Sequence, residues 1–118
     1  MRHRHSRLRL RQKPAHARMF QRNLVTSMLL YEKVRTTKKR AQVVRPTIER
    51  IITIAKKQEP RLAIRAINRI VTDKNACTKV IEVFRERYAT RQSGFTRMVP
   101  VGSRIGDGAE VVDLMLME

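Results

Sequence analysis

The chain has 118 residues and carries 27 lysines and arginines against 10 aspartates and glutamates, a formal net charge of +17 at pH 7. That length suits one domain, and an apolar content of 42% is too high for a wholly disordered basic tail. The chain lacks the roughly 18-residue apolar run of a transmembrane helix, and its one cysteine, Cys77, excludes a disulfide framework. So strong a positive charge predicts a polyanionic partner, with nucleic acid favoured over a membrane surface.

Residues 1–13 predict an extended basic arm. The first acidic residue of the chain is Glu32, and Leu8 and Leu10 alone give the arm no helical or strand-like apolar pattern. Blocks of like charge are usually disordered when free and often bind nucleic acid, and the guanidinium fork of arginine suits phosphate contacts. We therefore favour an RNA-binding arm over two alternatives, an exposed tail without a function and a cleaved mitochondrial transit peptide.

Two helices with an extended piece between them follow the arm. Pro14 can begin the first helix, over residues 15–31, because the N–H that proline lacks has no partner in a first turn. Its apolar stripe is Phe20, Leu24, Met28 and Tyr31. Residues 33–37 predict a short strand, and Thr37 can cap the second helix. The apolar stripe of the second helix recurs at three- and four-residue spacing, at Ala41, Val44, Ile48, Ile51, Ile52 and Ala55.

Two more helices complete the helical part. The third is predicted from Pro60 to Val71, with an apolar stripe at Leu62, Ala63, Ala66, Ile67 and Ile70. Its outer row is a basic stripe at four-residue spacing, Arg61, Arg65 and Arg69. The fourth begins near Asp73, a favourable N-cap, and its stripe is Ala76, Val80, Phe84 and Tyr88. Cys77 lies beside that stripe and is interpreted as a small core residue.

The last quarter of the chain has strand periodicity and contains all four glycines. Residues 95–101 alternate as one strand, and Pro100 predicts an edge position or a bulge because it cannot donate to a ladder. A loop over Gly102 to Gly108 leads to a second strand over 109–117, with Val112, Leu114 and Leu116 on one face. The predicted fold class is α+β: an arm over 1–13, then a single domain over 14–118 with about four helices and a small antiparallel sheet that includes this hairpin.

Catalytic and metal-binding patterns are missing from the sequence. The loop over residues 102–108 lacks the Gly-Lys-Ser/Thr ending of a phosphate loop and joins two strands. The three histidines, His3, His5 and His16, have no zinc-ligand spacing with Cys77 and lie among positive charges that would repel a metal ion. We therefore expect no catalysis, no metal ion, no cofactor and no small-molecule substrate.

Binding of structured RNA fits the residues better. Lys38, Lys39 and Arg40 would lie on the first turn of the second helix, where side chains and free N–H groups both attract phosphate. Aromatic residues are only 4% of the chain, so stacking on single-stranded bases is not the main mode. The pattern predicts recognition through phosphates and shape.

Several short motifs then resemble one family, in order and over nearly the whole chain. They are Met1-Arg2-His3-Arg4, Arg22-Asn23-Leu24, Glu32 with Thr36-Thr37, Arg45-Pro46 with Glu49, Ile52-Thr53-Ile54-Ala55-Lys56, Arg87-Tyr88, Arg91, Gly94-Phe95-Thr96-Arg97, Gly102, Arg104 and Gly106-Asp107. Together they resemble the bacterial-type large-subunit ribosomal protein seventeen family. The resemblance implies a non-catalytic α+β protein without a metal. It implies a partner in large-subunit ribosomal RNA near the nascent-chain exit, beside neighbouring large-subunit proteins.

The resemblance and the basic clusters together define the candidate RNA-binding residues. They are Arg2, His3, Arg4, His5, Arg7, Arg9, Arg11, Lys13, His16, Arg18, Arg22, Asn23, Arg35, Thr36, Thr37, Lys38, Lys39, Arg40, Arg91, Arg97 and Arg104. The expected location is a cytoplasmic or organellar ribosome, without membrane insertion. The alternative is a small architectural DNA-binding protein, for which the third helix offers Asn68 among its arginines. A membrane-active amphipathic peptide conflicts with a folded hairpin domain.

Overall fold

Four helical segments and three strands make up residues 10–118, the part of the chain that the computed structural model describes. In chain order they are α1 (Pro14–Tyr31), β1 (Lys33–Thr37), α2 (Lys38–Lys57), α3 (Pro60–Asn68), α4 (α-helical over Lys74–Lys79, π-helical over Val80–Phe84 and α-helical again over Arg85–Arg87), β2 (Thr96–Ser103) and β3 (Glu110–Leu116). The predicted α+β class and the short strand at 33–37 are confirmed. Most of the predicted arm, residues 1–9, lies outside the described residues.

Helix boundaries follow residues whose chemistry suits the ends of helices. Pro14 and Pro60 each occupy the first turn of a helix, where their missing N–H costs nothing. The Asp73 carboxylate accepts a hydrogen bond from the Asn75 N–H at 2.8 Å and so caps α4. At the end of α1, Glu32 takes a left-handed backbone conformation (φ 62°) and donates its N–H to the Met28 carbonyl at 2.9 Å. This turn directs the chain into β1.

The core lies between α2 and the sheet and continues among the other helices. All six residues of the α2 stripe predicted from the sequence are fully buried. The sheet contributes Val112, Leu114 and Leu116, which face the helices as predicted. Because α2 packs against the sheet and against the three other helical segments, it is the central element of the domain.

A π-helical turn keeps the apolar stripe of α4 on one face. The stripe residues Ala76, Val80, Phe84 and Tyr88 are all buried, as predicted, at a strict four-residue spacing. In an α-helix of 3.6 residues per turn such a spacing drifts by about 40° at each step. The wider i→i+5 turn over Val80–Phe84 absorbs this drift. The Tyr88 hydroxyl then donates to the Met117 carbonyl and ties α4 to the end of the chain.

Two predicted stripes are displaced in the structure. Helix α1 buries Val25, Met28 and Leu29, whereas Tyr31 is 74% exposed. Helix α3 ends at Asn68, before the predicted Val71, and Leu62 is 51% exposed. These helices lie at the margin of the core, so the positions of α2 and α4 decide which side of each is covered. Apolar spacing alone does not contain that information.

The sheet has the order β1-β3-β2 and is antiparallel throughout. Strand β2 is therefore an edge strand, and its pairing is also bulged between Pro100 and Gly102, so both predicted consequences of Pro100 occur. The predicted loop over 102–108 is too long, because pairing resumes after the bulge with Gly102 opposite Val111. Across residues 10–118, no helix combines the length and the apolar character needed to span a membrane.

Candidate nucleic-acid interface

The structure places only part of the predicted RNA-binding set. The predicted residues Arg2, His3, Arg4, His5, Arg7 and Arg9 lie outside the described residues. Most of the others fall into three groups: the residues just before and within α1 together with the first turn of α2, the hairpin loop, and the outer face of the sheet.

The first half of α1 is an exposed basic surface. Arg11, Lys13, His16, Arg18 and Asn23 are all exposed. No acidic residue lies in the first turn of α1, and the N-cap position is held by Lys13, which makes no side-chain cap. Cations at a helix N-terminus oppose the helix dipole, so this arrangement disfavours the free helix and favours a bound anion.

The first turn of α2 lies beside this surface. The Arg40 guanidinium stacks over the Phe20 ring of α1, 4.5 Å from the ring centroid, which joins the two basic segments. Lys38 and Lys39 are exposed, and Thr37 holds the N-cap position without a side-chain hydrogen bond, so the proposed Thr37 cap is not made. The first N–H groups of α2 therefore keep their capacity for an anion.

The hairpin loop approaches the same end of the molecule. Lys38 forms an ion pair with Glu110 at 3.5 Å, and a hollow of about 450 Å³ lies between the first turn of α2 and the start of β3. Within the loop, Arg104 pairs with Asp107, and this guanidinium lowers the pKa of Asp107 to about 2. Both side chains remain about half exposed, at 51% and 54%, but Asp107 offsets the charge that Arg104 would offer to a phosphate.

The outer face of the sheet carries a second basic group. The strand register places Lys33 of β1, Met115 of β3 and Arg97 of β2 side by side, on the sheet face turned away from the helices. Arg35 lies on the same face and donates through Nε to the Asp113 carboxylate at 2.9 Å, which lowers the pKa of Asp113. Thr36 is on the helix-facing side of β1 and half-buried, and Arg35 is neutralised by Asp113. Of the predicted strand residues, Arg97 is therefore the best placed to meet RNA, because it is exposed and forms no ion pair within residues 10–118.

Two predicted residues have structural partners. The Arg22 Nε donates to the Ile70 carbonyl at 3.0 Å and joins α1 to the segment after α3. The Arg91 carbonyl accepts a hydrogen bond from the Lys56 ammonium, away from the α2 first turn. Conversely, Arg69 was left out of the predicted set, yet it lies beside Arg18 and Arg22. The four-residue spacing of Arg61, Arg65 and Arg69 was the available signal.

Neither a metal-binding cluster nor a reactive thiol is found among the described residues. Within residues 10–118 there is no group of three histidine, cysteine, aspartate or glutamate side chains close enough to hold a metal ion. Cys77 is 5% exposed, and burial raises the pKa of its thiol, which makes it a poor nucleophile. The accessible chemistry is that of guanidinium and ammonium groups toward anions.

Comparison with known proteins shows the family of the chain. Residues 20–117 match the family model described as ribosomal protein L17. The chain is 36% identical to the large ribosomal subunit protein bL17 of Syntrophotalea carbinolica, over 100% of this chain and 76% of that protein. Identity to bL17 of Pelobacter propionicus is 36%, over 100% of this chain and 92% of that protein. Identity to bL17 of Clostridium botulinum is 43%, over 81% of this chain and 84% of that protein. Agreement over this much of the sequence confirms the resemblance, and the chain belongs to the ribosomal protein L17 family.

Proposed function

We propose that this chain is a structural constituent of the large ribosomal subunit that binds large-subunit ribosomal RNA and stabilises its fold near the nascent-chain exit. The observation that carries the proposal is the electrostatic character of α1 and the α2 first turn. Helix α1 contains no acidic residue, and Arg40 stacks on Phe20 to join the two segments into one basic surface. A surface with so few internal counter-charges favours a polyanion.

Contacts to phosphate groups would dominate this interaction. Of the five aromatic side chains, Phe84, Tyr88 and Phe95 are buried, and Phe20 lies under Arg40. Tyr31 alone among them is largely exposed, so stacking on bases can make only a small contribution. The protein would therefore recognise the shape of folded RNA through its backbone.

Residues 1–13 would act as an RNA-binding arm on a single domain formed by residues 14–118. The outer sheet face and the hairpin loop would meet RNA or neighbouring large-subunit proteins. We infer no catalytic activity, no small-molecule substrate and no membrane insertion, and a location in cytoplasmic or organellar ribosomes.

The names of the relatives favour this function over the architectural DNA-binding alternative, because each relative cited above is called a large ribosomal subunit protein. An architectural protein would instead bind and bend duplex DNA.

Sedimentation of the tagged full-length chain from bacterial cells tests the proposal. On a sucrose gradient at moderate salt, we expect the chain to migrate with large subunits and whole ribosomes, and ultraviolet cross-linking to attach it to large-subunit RNA. Migration with the nucleoid or with free protein, with no RNA cross-link, would contradict the proposal.

A further inference from the structure

We propose that a hollow between α1 and the end of α3, lined by Arg18, Arg22 and Arg69, binds a phosphate group of the RNA backbone. This site rests on the proposed function and extends it to a place and a residue, Arg69, that are not part of the predicted RNA-binding set. If the hollow binds a phosphate, the RNA backbone should contact α3 as well as α1.

The hollow is large enough for a phosphate group. Its volume is about 250 Å³, whereas a single water molecule needs only about 10–15 Å³ of such space. Besides the three arginines, Gln21 and Thr47 contribute polar side chains, and Val25 lies at its floor. Guanidinium groups would supply the charge, while Gln21 and Thr47 could hydrogen-bond to phosphate oxygens.

The walls of the hollow are held in place by hydrogen bonds. The Arg22 Nε donates to the Ile70 carbonyl at 3.0 Å. One turn further along α1, the Thr26 hydroxyl donates to the Arg22 carbonyl at 2.8 Å and accepts the Thr72 N–H at 3.1 Å. These contacts fix the segment after α3 against α1, and they engage only one of the three nitrogens of the Arg22 guanidinium. Because the Arg22 side chain is already held, it loses little further conformational entropy when an anion binds.

The charges in the hollow are uncompensated. No carboxylate lines it, and none of Arg18, Arg22 and Arg69 forms an ion pair within residues 10–118. The position of Arg69 at the end of α3 is favourable to the helix dipole, which is a sufficient structural reason for that residue. Arg22 has a structural reason as well, its hydrogen bond to the Ile70 carbonyl, whereas Arg18 has no ion pair within residues 10–118. Three like charges around one hollow repel one another until an anion enters.

The arrangement of charge along α3 favours a nucleic acid strand over an acidic protein segment. Arg61, Arg65 and Arg69 are exposed and form a row leading away from the hollow, spaced about 6 Å apart along the helix axis. A phosphodiester backbone presents one anion per nucleotide, so it can meet the hollow and continue along the row. Guanidinium groups also bind phosphate oxygens in a bidentate manner.

The test compares two doubly substituted full-length proteins that each lose two positive charges. Arg18→Gln/Arg69→Gln alters the hollow and spares Arg22, whose hydrogen bond is structural. Lys57→Gln/Lys74→Gln is the matched control, since both lysines are exposed and neither forms an ion pair within residues 10–118. Binding of each to a large-subunit ribosomal RNA transcript is measured as a function of salt, with circular dichroism to verify folding.

We expect the hollow variant to make the slope of log K against log salt shallower by about 1, because the hollow neutralises one phosphate, and we expect the control to leave the slope unchanged. Ultraviolet cross-links from the α1 peptide that contains Gln21 should be lost in the same variant. Equal slopes in the two variants, with normal wild-type binding, would overturn the site while leaving the proposed function intact. Failure of the wild-type protein to bind the transcript would overturn both. Normal RNA binding combined with loss of the hollow variant from subunits would make the occupant an acidic protein segment.

Discussion

The Glu49 carboxylate on α2 accepts two hydrogen bonds from Thr96, the first residue of β2. The Thr96 hydroxyl donates at 2.8 Å and the Thr96 backbone N–H at 3.1 Å. The carboxylate also accepts the N–H of Phe95 at 3.1 Å, and Arg45 donates to the Thr96 hydroxyl oxygen at 3.0 Å. Thr96 is 4% exposed, so these groups have little access to water. One carboxylate therefore joins the central helix to the edge strand of the sheet.

Replacing Glu49 by alanine should destabilise the protein by about 3 kcal/mol, because two buried backbone N–H groups would lose their acceptor. Urea unfolding followed by circular dichroism measures the loss. Glu59→Ala is the matched control: Glu59 is exposed and makes no side-chain cap on α3, so its removal should change the free energy of unfolding by less than about 0.5 kcal/mol. Equal unfolding midpoints for the two variants would contradict this role of Glu49.

The ion pairs of a second carboxylate, that of Glu32, should make the stability of the fold depend on pH. Glu32 binds Arg87 at 2.8 Å and Lys79 at 3.0 Å, and the hydrogen bond from Arg87, ahead of the one from Lys79, holds the pKa of Glu32 below its usual range. Because the pKa of Glu32 is lower in the folded protein than in the unfolded chain, Glu32 stabilises the fold. This contribution to the free energy of unfolding is complete above the unfolded pKa of about 4.3, and it disappears as the pH falls through the pKa of the folded protein. Glu32→Gln should therefore lower the melting temperature at pH 7 and have little effect at the acidic end of the folded range.

The control for this prediction is Glu82→Gln, since Glu82 is exposed and pairs with no cation within residues 10–118. Its melting temperature should differ little from wild type at either pH. A Glu32→Gln deficit that stays constant from pH 7 down to the acid limit would mean that the effect is not electrostatic.

Affinity for ribosomal RNA should depend steeply on salt. If about eight cationic groups contact phosphate, a slope of about −0.9 per contact, taken from duplex DNA, gives about −7 for log K against log salt. Filter binding of the wild-type protein to the transcript at several salt concentrations measures this slope. A slope shallower than about −3 would indicate that most of the charges face solvent in the complex.

The arm should carry a large share of that slope. Replacing Arg2, Arg4, Arg7, Arg9 and Arg11 together by alanine should make the slope shallower by about 4, with the melting temperature unchanged because the arm has no apolar pattern in the sequence. Per charge removed, this loss should far exceed that of the Lys57→Gln/Lys74→Gln control. A variant that binds RNA with the wild-type slope would show that the arm takes no part in binding.

Helices and strands could be predicted from the sequence where the pattern that identifies them lies within the segment itself. The stripe from Ala41 to Ala55 identifies α2 and its buried face, because the helical period alone decides which side chains share a face. The alternation of Val112, Leu114 and Leu116 does the same for β3, and the missing N–H of Pro100 limits β2 to an irregular edge. The net charge of +17 and the acid-free N-terminal region indicated a polyanionic partner, because charge can be counted from the sequence without knowing how the chain packs.

Only the tertiary structure decides which polar and charged side chains form hydrogen bonds and ion pairs with each other. Glu49 and Thr96 are separated by 47 residues, and Arg22 and Ile70 by 48, so no local period relates them. Arg35 is neutralised by Asp113 across the sheet, while Arg69 joins Arg18 in an uncompensated hollow. By itself, the sequence determined the helices and strands, the buried faces of α2, α4 and β3, and the class of partner, because these follow from chain-local geometry and total charge. The placement of individual arginines as structural or free required the packed helices, because a charge acts only over the short distances that packing creates.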